Sequence, residues 1–332
     1  MRITPAPVPA GSPALPPSPS GSVTVGVIGA GRVGAVLGAI LADTPGYALA
    51  AVSGETPATR ERIAALLPGA QIRKPTDVAR AADLLLLTVP DDRLAGVVCS
   101  LVGSGAIREG QYVVHTSGKH GLDVLQPAAD LGAHVLALHP AMTFTGTAVD
   151  RARLQGCVFG VTATPADLAY ADQLVAVLGA RPVRVAEDQR ALYHAGLAHG
   201  ANHLVTLVAQ AMDMLAASGV ADPSGTLRPL LSAALDNALT DGDAALTGPV
   251  ARGDRRTVRD HLAQITEHTP GSLDSYVAMA RATVDRSAAD GRLAGGRAAA
   301  LHETLSEALP EAPGHPVAPA DDAAADSERT PL

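Results

Sequence analysis

The sequence predicts an α/β protein whose N-terminal part is a doubly wound parallel sheet and whose C-terminal part is all helical. Three observations predict it. Short apolar runs alternate with helix-length segments from Val23 to Val185, the pattern of repeated strand–helix units. One of those runs, Asp83–Val89 (DLLLLTV), is apolar without interruption, as a strand covered on both faces must be. After Glu187 the strand signal stops and only helical patterns follow.

In order, Val23–Ile28 is the first strand, and a helix over Val33–Ala42 follows a glycine-rich turn. Thr44-Pro45-Gly46 ends that helix, and Tyr47–Val52 is the next strand. Thr56-Pro57 opens a helix with proline at its favoured first-turn position, and Pro68-Gly69 closes it. Asp83–Val89, Tyr112–His115 and His134–Leu138 read as further strands, with a helix over Gly121–Leu131 between the last two. Cys157–Thr162 and Pro182–Val185 complete the strands, flanking a helix over Pro165–Leu178. Glu187–Ser218 reads as one long helix, too apolar all round for a surface position. Helices are expected around 226–240, 254–267, 271–286 and 288–308.

A chain of 332 residues suits two domains, expected over 21–186 and 187–308. The Pro-rich 1–20 and the Pro-rich, acidic 309–332 are expected to be disordered tails, since neither composition buries enough apolar surface to order itself. A net charge of −8 argues against nucleic-acid binding, which needs a basic face. No apolar run reaches the ~18 residues of a membrane span, and the N-terminal prolines are unlike a signal peptide. Cys99 and Cys157 are too few for a disulfide framework or a four-ligand metal site, so no metal is expected and the cytoplasm is the default compartment.

The strongest motif is VIGAGRVG, Val27–Gly34. Gly29, Gly31 and Gly34 fit G-x-G-x-x-G between a strand and a helix, the dinucleotide-binding turn of a Rossmann domain. The first glycine permits the tight turn and the second admits a pyrophosphate. The third lets helix and strand pack closely, so helix amides face the phosphates. Gly29-Ala30-Gly31-Arg32-Val33-Gly34 is therefore the expected cofactor loop. At the end of the second strand, Ser53 favours NADP and Glu55 opposes it if it points inward; NADP is expected and NAD stays open. Arg60 and Arg62 lie on the next helix, where a solvated face is the alternative to a phosphate contact. Val89 and Pro90, in TVPDD after the Asp83–Val89 strand, are placed to flank the nicotinamide ribose, or simply to end a strand.

Ligands of open α/β sheets bind outside the carboxyl ends of the strands. HTSGKHG (His115–Gly121) and LHP (Leu138–Pro140) lie at that rim. Ser117, Lys119 and His139 are candidate substrate-positioning residues, Ser117 and Lys119 for an anion, and His115 is paired with His139 at the same rim, with a structural role as the alternative for either histidine. The long helix carries YHAGLAHGANHL, Tyr193–Leu204, in which His199 lies three residues before Asn202 and His194 two turns before it. On an α-helix these form one polar patch, either an internal network or a proton donor with an orienting amide. His199, Asn202 and His194 are the candidate catalytic groups. In LTGPVARGD, Leu246–Asp254, Arg252 is a candidate anion ligand and Asp254 a candidate helix cap.

Together the glycine loop, VPD, HTSG, LHP, YHA with a following Asn, and TGPVARGD resemble proteins that join a Rossmann-like domain to the domain of unknown function 2520, over about residues 23–300. That family is similar to pyrroline-5-carboxylate reductase, prephenate dehydrogenase and the β-hydroxyacid dehydrogenases, and in its nucleotide domain to F420-dependent NADP oxidoreductases. The resemblance implies an NAD(P)-dependent oxidoreductase, a homodimer built through the helical domains, and an active site between the domains. Two positions depart from the pattern. Ala198 stands where β-hydroxyacid dehydrogenases place a lysine four residues before a helix asparagine, and Glu55 stands where an arginine is common.

The expected function is hydride transfer between nicotinamide and a small, anionic carbonyl, hydroxy or imine substrate, with a ketopantoate-type 2-oxoacid as one candidate. The alternatives are a non-catalytic NAD(P)-sensing or scaffolding dimer and an F420-linked NADP reductase.

Overall fold

A computed structural model describes residues 21–309. The expected tails lie outside those residues, except Leu309, which packs on the helical core. The described residues divide into two compact units, the first ending at Asn202 and the second beginning at His203. The segment from Glu187 to Asn202 thus belongs to the first unit, although the strand pattern ends before it.

The first unit is built on a seven-stranded sheet: β1 (Val23–Ile28), β2 (Tyr47–Ser53), β3 (Leu84–Leu87), β4 (Tyr112–His115), β5 (His134–Pro140), β6 (Val158–Ala163) and β7 (Arg181–Arg184). Their order is β2-β1-β3-β4-β5-β6-β7. The chain leaves β1 for β2 on one side and returns to β3 on the other, so the reversal point lies at the carboxyl ends of β1 and β3. The glycine motif follows β1 and the TVP motif follows β3.

Alternation along the strands separates two cores. Leu84 and Leu86 join one buried cluster with Val25, Val27 and Val114, whereas Leu85 and Leu87 join another with Ile28, Val113 and Val135. Both faces of the sheet are therefore covered, which is why Leu84–Leu87 has no polar position. Each fully buried leucine contributes about 1.5–3 kcal/mol.

Three sequence expectations need correction. β6 runs antiparallel to β5, with His139 opposite Gly160. Side-chain alternation is the same for either direction, so the apolar pattern carries no sign of the reversal. The helix expected over Gly121–Leu131 is only a 3₁₀ turn, Asp123–Leu125, continued by one α turn, Gln126–Ala129. The long helix expected over Glu187–Ser218 is instead a 3₁₀ turn (Glu187–Gln189), an α-helix (Arg190–Leu197), a π-helical turn (Ala198–Asn202) and a second α-helix (His203–Ala217).

The second unit contains the helices His203–Ala217, Pro223–Asp241, Arg255–His268, Leu273–Ala289 and Gly295–Glu307. Val258, Leu262, Val277, Val284, Leu301 and Leu305 form the centre of its core. Asp254 caps its helix as expected, its Oδ1 accepting Thr257 N–H at 3.1 Å. The first helix of this unit has no buried residue, and Val205 is 72% exposed. Among the described residues no helix is long and apolar enough to cross a membrane, and no group of three or more metal-ligating side chains occurs.

Candidate functional site

The glycine motif folds as a turn from β1 into the helix Arg32–Ala42. Gly29 has φ +86°, where an L side chain is strained, and a Cβ there would lie 2.8 Å from Val89 Cγ1. A Cβ on Gly34 would overlap Thr88 Oγ1 and approach Gly29 O to 2.8 Å. Thr88 locks this crossing, its hydroxyl donating to Gly29 O at 2.7 Å. Gly31 differs from both: a Cβ there would meet nothing nearer than Gly29 O, 3.7 Å away. Two glycines are thus explained by the protein's own packing, and Gly31 is not. The Arg32–Ala42 helix has no side-chain cap and no acidic residue in its first turn, which leaves its N-terminal amides open to an anion. The helix after β3, Asp91–Gly103, carries Asp91 and Asp92 in its first turn and lacks that property.

Ser53 is buried, and its Oγ accepts Gly29 N–H at 3.3 Å while its carbonyl accepts Ala30 N–H at 2.9 Å. It is a brace of the glycine loop. Glu55 is exposed beyond the end of β2. Arg62, half-buried on the helix Pro57–Leu66, approaches the exposed Arg32 at Gly146: a Cβ on Gly146 would overlap Arg62 Nε and lie 3.0 Å from Arg32 Cγ. Neither arginine is in an ion pair among the described residues. Asp150 shapes this loop by accepting Thr145 Oγ1–H at 2.9 Å and Gly146 N–H at 2.6 Å. Arg60 is exposed. Val33 is half-buried in the glycine-loop helix, and Pro90 caps the Asp91–Gly103 helix.

The loop after β4 is held from inside. His115 is fully buried; its Nε2 lies 2.8 Å from Gly121 O, and its Nδ1 accepts Ser117 N–H at 3.1 Å. These partners define a neutral imidazole with its proton on Nε2. Burial, with Arg190 and His120 nearby, pushes its pKa down to about 4. Ser117 is buried too, its Oγ accepting His120 N–H at 3.1 Å. Lys119 at the loop tip is exposed.

Two residues that the sequence did not single out fasten this loop to the segment after β7. Glu187 accepts the backbone N–H groups of Leu122 and Asp123 at 2.8 and 3.3 Å. Arg190 is wholly buried and donates to Ser117 O at 2.6 Å and Thr162 Oγ1 at 2.9 Å, while its Nε has no hydrogen bond. A lone arginine opening an apolar helix was the only sequence signal for it.

That anchorage brings Tyr193 and His194 to the rim. His194 and His139 meet edge to face, ring centroids 5.6 Å apart. Tyr193 Oη lies 3.2 Å from His139 Nδ1. Gly118 has to be glycine here, because a Cβ would overlap the His194 ring and lie 3.0 Å from His139 Nε2. Burial, His194 and Arg190 push the His139 pKa down to about 4, with Asp91 opposing. Beside the histidines is a pocket of about 220 Å³, lined among others by His139, Met142, Thr143, His194, Ala198 and Asn202.

Of the candidate catalytic groups, His194 and Asn202 therefore share a pocket with His139. His199 is exposed in the π-helical turn and does not line it. The wider turn changes the angular spacing on which an α-helical patch of His199 and Asn202 relies. Arg252 belongs to the second unit, exposed on a one-turn helix between Gly248 (φ +99°) and Gly253 (φ +76°).

A Rossmann-like domain profile matches residues 17–140, and the profile of the domain of unknown function DUF2520 matches residues 157–283. The two matches lie in the order expected for a Rossmann-like domain followed by a DUF2520 domain. Similar solved structures share this architecture. A candidate NADP oxidoreductase from Bacteroides fragilis superimposes with a TM-score of 0.65 at 20% identity, covering 85% of this chain and 98% of that one. An imine reductase from Myxococcus stipitatus in complex with NADP+ gives 0.59 at 19% identity, covering 79% and 94%. A reductive aminase from Aspergillus terreus in complex with NADPH and ethyl levulinate gives 0.58 at 16% identity, covering 85% and 99%. No curated protein matches by sequence. At these identities the neighbours establish the fold.

Proposed function

We propose that this protein is an NADP-dependent oxidoreductase that interconverts a small carbonyl or imine with its reduced form. The observation that carries the reading is Gly31, whose open side has no explanation in the protein's own packing, set beside uncapped helix amides. That cradle fits a pyrophosphate. Gly29, Ala30, Gly31, Arg32, Val33 and Gly34 would hold it, with Val89 and Pro90 beside the adjoining ribose. Arg32 and Arg62, cations without carboxylate partners, support NADP over NAD, because a 2′-phosphate supplies the anion they lack. When bound, the nicotinamide supplies or accepts a hydride.

The chain's own residues bind and orient the other reactant. His194 and Asn202 donate to a carbonyl oxygen or accept from an imine N–H, and His139 faces the same pocket. Lys119, exposed beside Gly118, provides charge for an anionic group at the rim. Imine chemistry is supported by the names of two neighbours, and carbonyl chemistry needs the same donors. A panel of 2-oxoacids and cyclic imines, scored by NADPH consumption, tests this reading. Consumption with at least one member is expected, and micromolar NADPH binding with none consumed would remove the proposed substrate classes.

We further propose a homodimer formed through the helices His203–Ala217 and Pro223–Asp241. Leu204, Val205, Leu207, Leu230, Leu235 and Leu239 are all exposed on them, a larger apolar display than a monomer keeps in water. Light scattering should give twice the chain mass, and Val205→Asp combined with Leu239→Asp should give the monomer. A monomeric wild type would contradict the proposal.

A further inference from the structure

The two nitrogens of His139 have different surroundings. Nδ1 faces Tyr193 Oη at 3.2 Å. The Tyr193 hydroxyl occupies the space a Gly160 Cβ would need, 2.6 Å from it. Because β6 is antiparallel to β5, Gly160 pairs with His139, and Tyr193 reaches both from the helix Arg190–Leu197. When the phenol directs its single proton at Nδ1, the His139 proton sits on Nε2. Nε2 lies against Gly118, where the absence of a side chain leaves it room, and His139 lines the pocket shared with His194 and Asn202.

We propose that Tyr193 and His139 form a two-residue proton relay, in which His139 Nε2 protonates the substrate while Tyr193 resupplies His139 through Nδ1. The relay rests on the reductase reading above. In the reductive direction a C–H bond forms at the carbonyl or imine carbon, the hydride coming from reduced nicotinamide. The π electrons of the C=O or C=N bond move to the heteroatom, which takes the Nε2 proton. As Nε2–H breaks, Nδ1–H forms and the Tyr193 O–H breaks. Burial raises the Tyr193 pKa and the Arg190 guanidinium offsets part of that rise, so the phenolate is short-lived and solvent returns its proton. Oxidation runs the same transfers backwards.

The relay explains why a tyrosine is needed. His139 faces His194 and Arg190, both of which disfavour a second positive charge, and Asp91 opposes them only weakly. A histidine kept neutral gives up its only proton at prohibitive cost unless its other nitrogen gains one in the same step. Tyr193 is the group placed to provide it.

The test is a long-range ¹H–¹⁵N correlation spectrum of the full chain labelled with ¹⁵N-histidine, from pH 8 to pH 5, with His139→Gln for assignment. His139 is expected as the Nε2–H tautomer throughout. Tyr193→Phe should mix the two tautomers while NADPH affinity stays within twofold. With 2-oxoacids and cyclic imines as probes, Tyr193→Phe should lower kcat about 10²-fold with KM within threefold. An Nδ1–H tautomer, an imidazolium at pH 7, or a Tyr193→Phe spectrum identical to wild type overturns the relay, as does an unchanged kcat. Lost NADPH binding by the wild type would instead sink the reductase reading and the relay together, which separates the two failures.

Discussion

Acidification should destabilise the first unit through His115, by an amount the structure allows to be worked out. Both ring nitrogens are committed, Nε2 donating to Gly121 O and Nδ1 accepting from Ser117 N–H. A second proton would sit on Nδ1 facing another donor, in a side chain with no solvent exposure. The pKa therefore falls from 6.5 to about 4 on folding. The sign follows from proton counts: between these values the unfolded chain binds the proton and the folded chain does not. Stability is thus intact above pH 6.5, declines as pH falls towards 4, and changes no further below that. At about 1.4 kcal/mol per pH unit, the His115 contribution to the loss between pH 7.5 and pH 5 is about 2 kcal/mol. Urea denaturation monitored by circular dichroism at the two pH values measures it. His139, also lowered to about 4, adds a similar loss, so the comparison is with His115→Asn, whose own loss should be smaller by about 2 kcal/mol. Equal pH dependence in wild type and variant would refute the inference that His115 is held neutral.

Gly31→Ala should melt within ~2 °C of wild type, because its Cβ finds open space, yet weaken NADPH binding at least tenfold; Gly34→Ala should lose about 1–3 kcal/mol of stability by overpacking against Thr88. Thermal melting and fluorescence titration separate these outcomes. Arg62→Ala and Arg32→Ala should each weaken NADPH binding severalfold and leave NADH binding unchanged, and equal effects on both nucleotides would place these arginines elsewhere. Arg190→Met should cost about 2–5 kcal/mol by urea denaturation, since it leaves Ser117 O and Thr162 Oγ1 without their donor. A neutral result would mean the buried guanidinium is no anchor for the loop.

What the sequence made legible was whatever depends on local pattern. The four leucines of DLLLLTV reported a strand covered on both faces, and the spacing of Gly29, Gly31 and Gly34 located the turn between β1 and its helix. Strand direction was not legible, because β6 alternates identically whichever way it runs. Nor was the π-helical turn, since His199 and Asn202 carry α-helical spacing whatever backbone they adopt. The rim could be placed from the ends of β4 and β5, but its wiring could not. Tyr193 reaches His139 from a distant segment, and Arg62 meets Arg32 beside a glycine far from both. Ser53 illustrates the opposite limit. Its position suited a ribose contact, whereas its buried hydroxyl is spent on Gly29 N–H.

The glycine turn with Arg32 and Arg62 is proposed above as a site for NADP. The most direct measurement is a fluorescence titration of the purified full chain with NADPH and, separately, NADH. The account predicts saturable micromolar binding of NADPH, at least tenfold weaker binding of NADH, and loss of both in Gly31→Asp. Absence of binding by either nucleotide, or binding that survives Gly31→Asp, would contradict it.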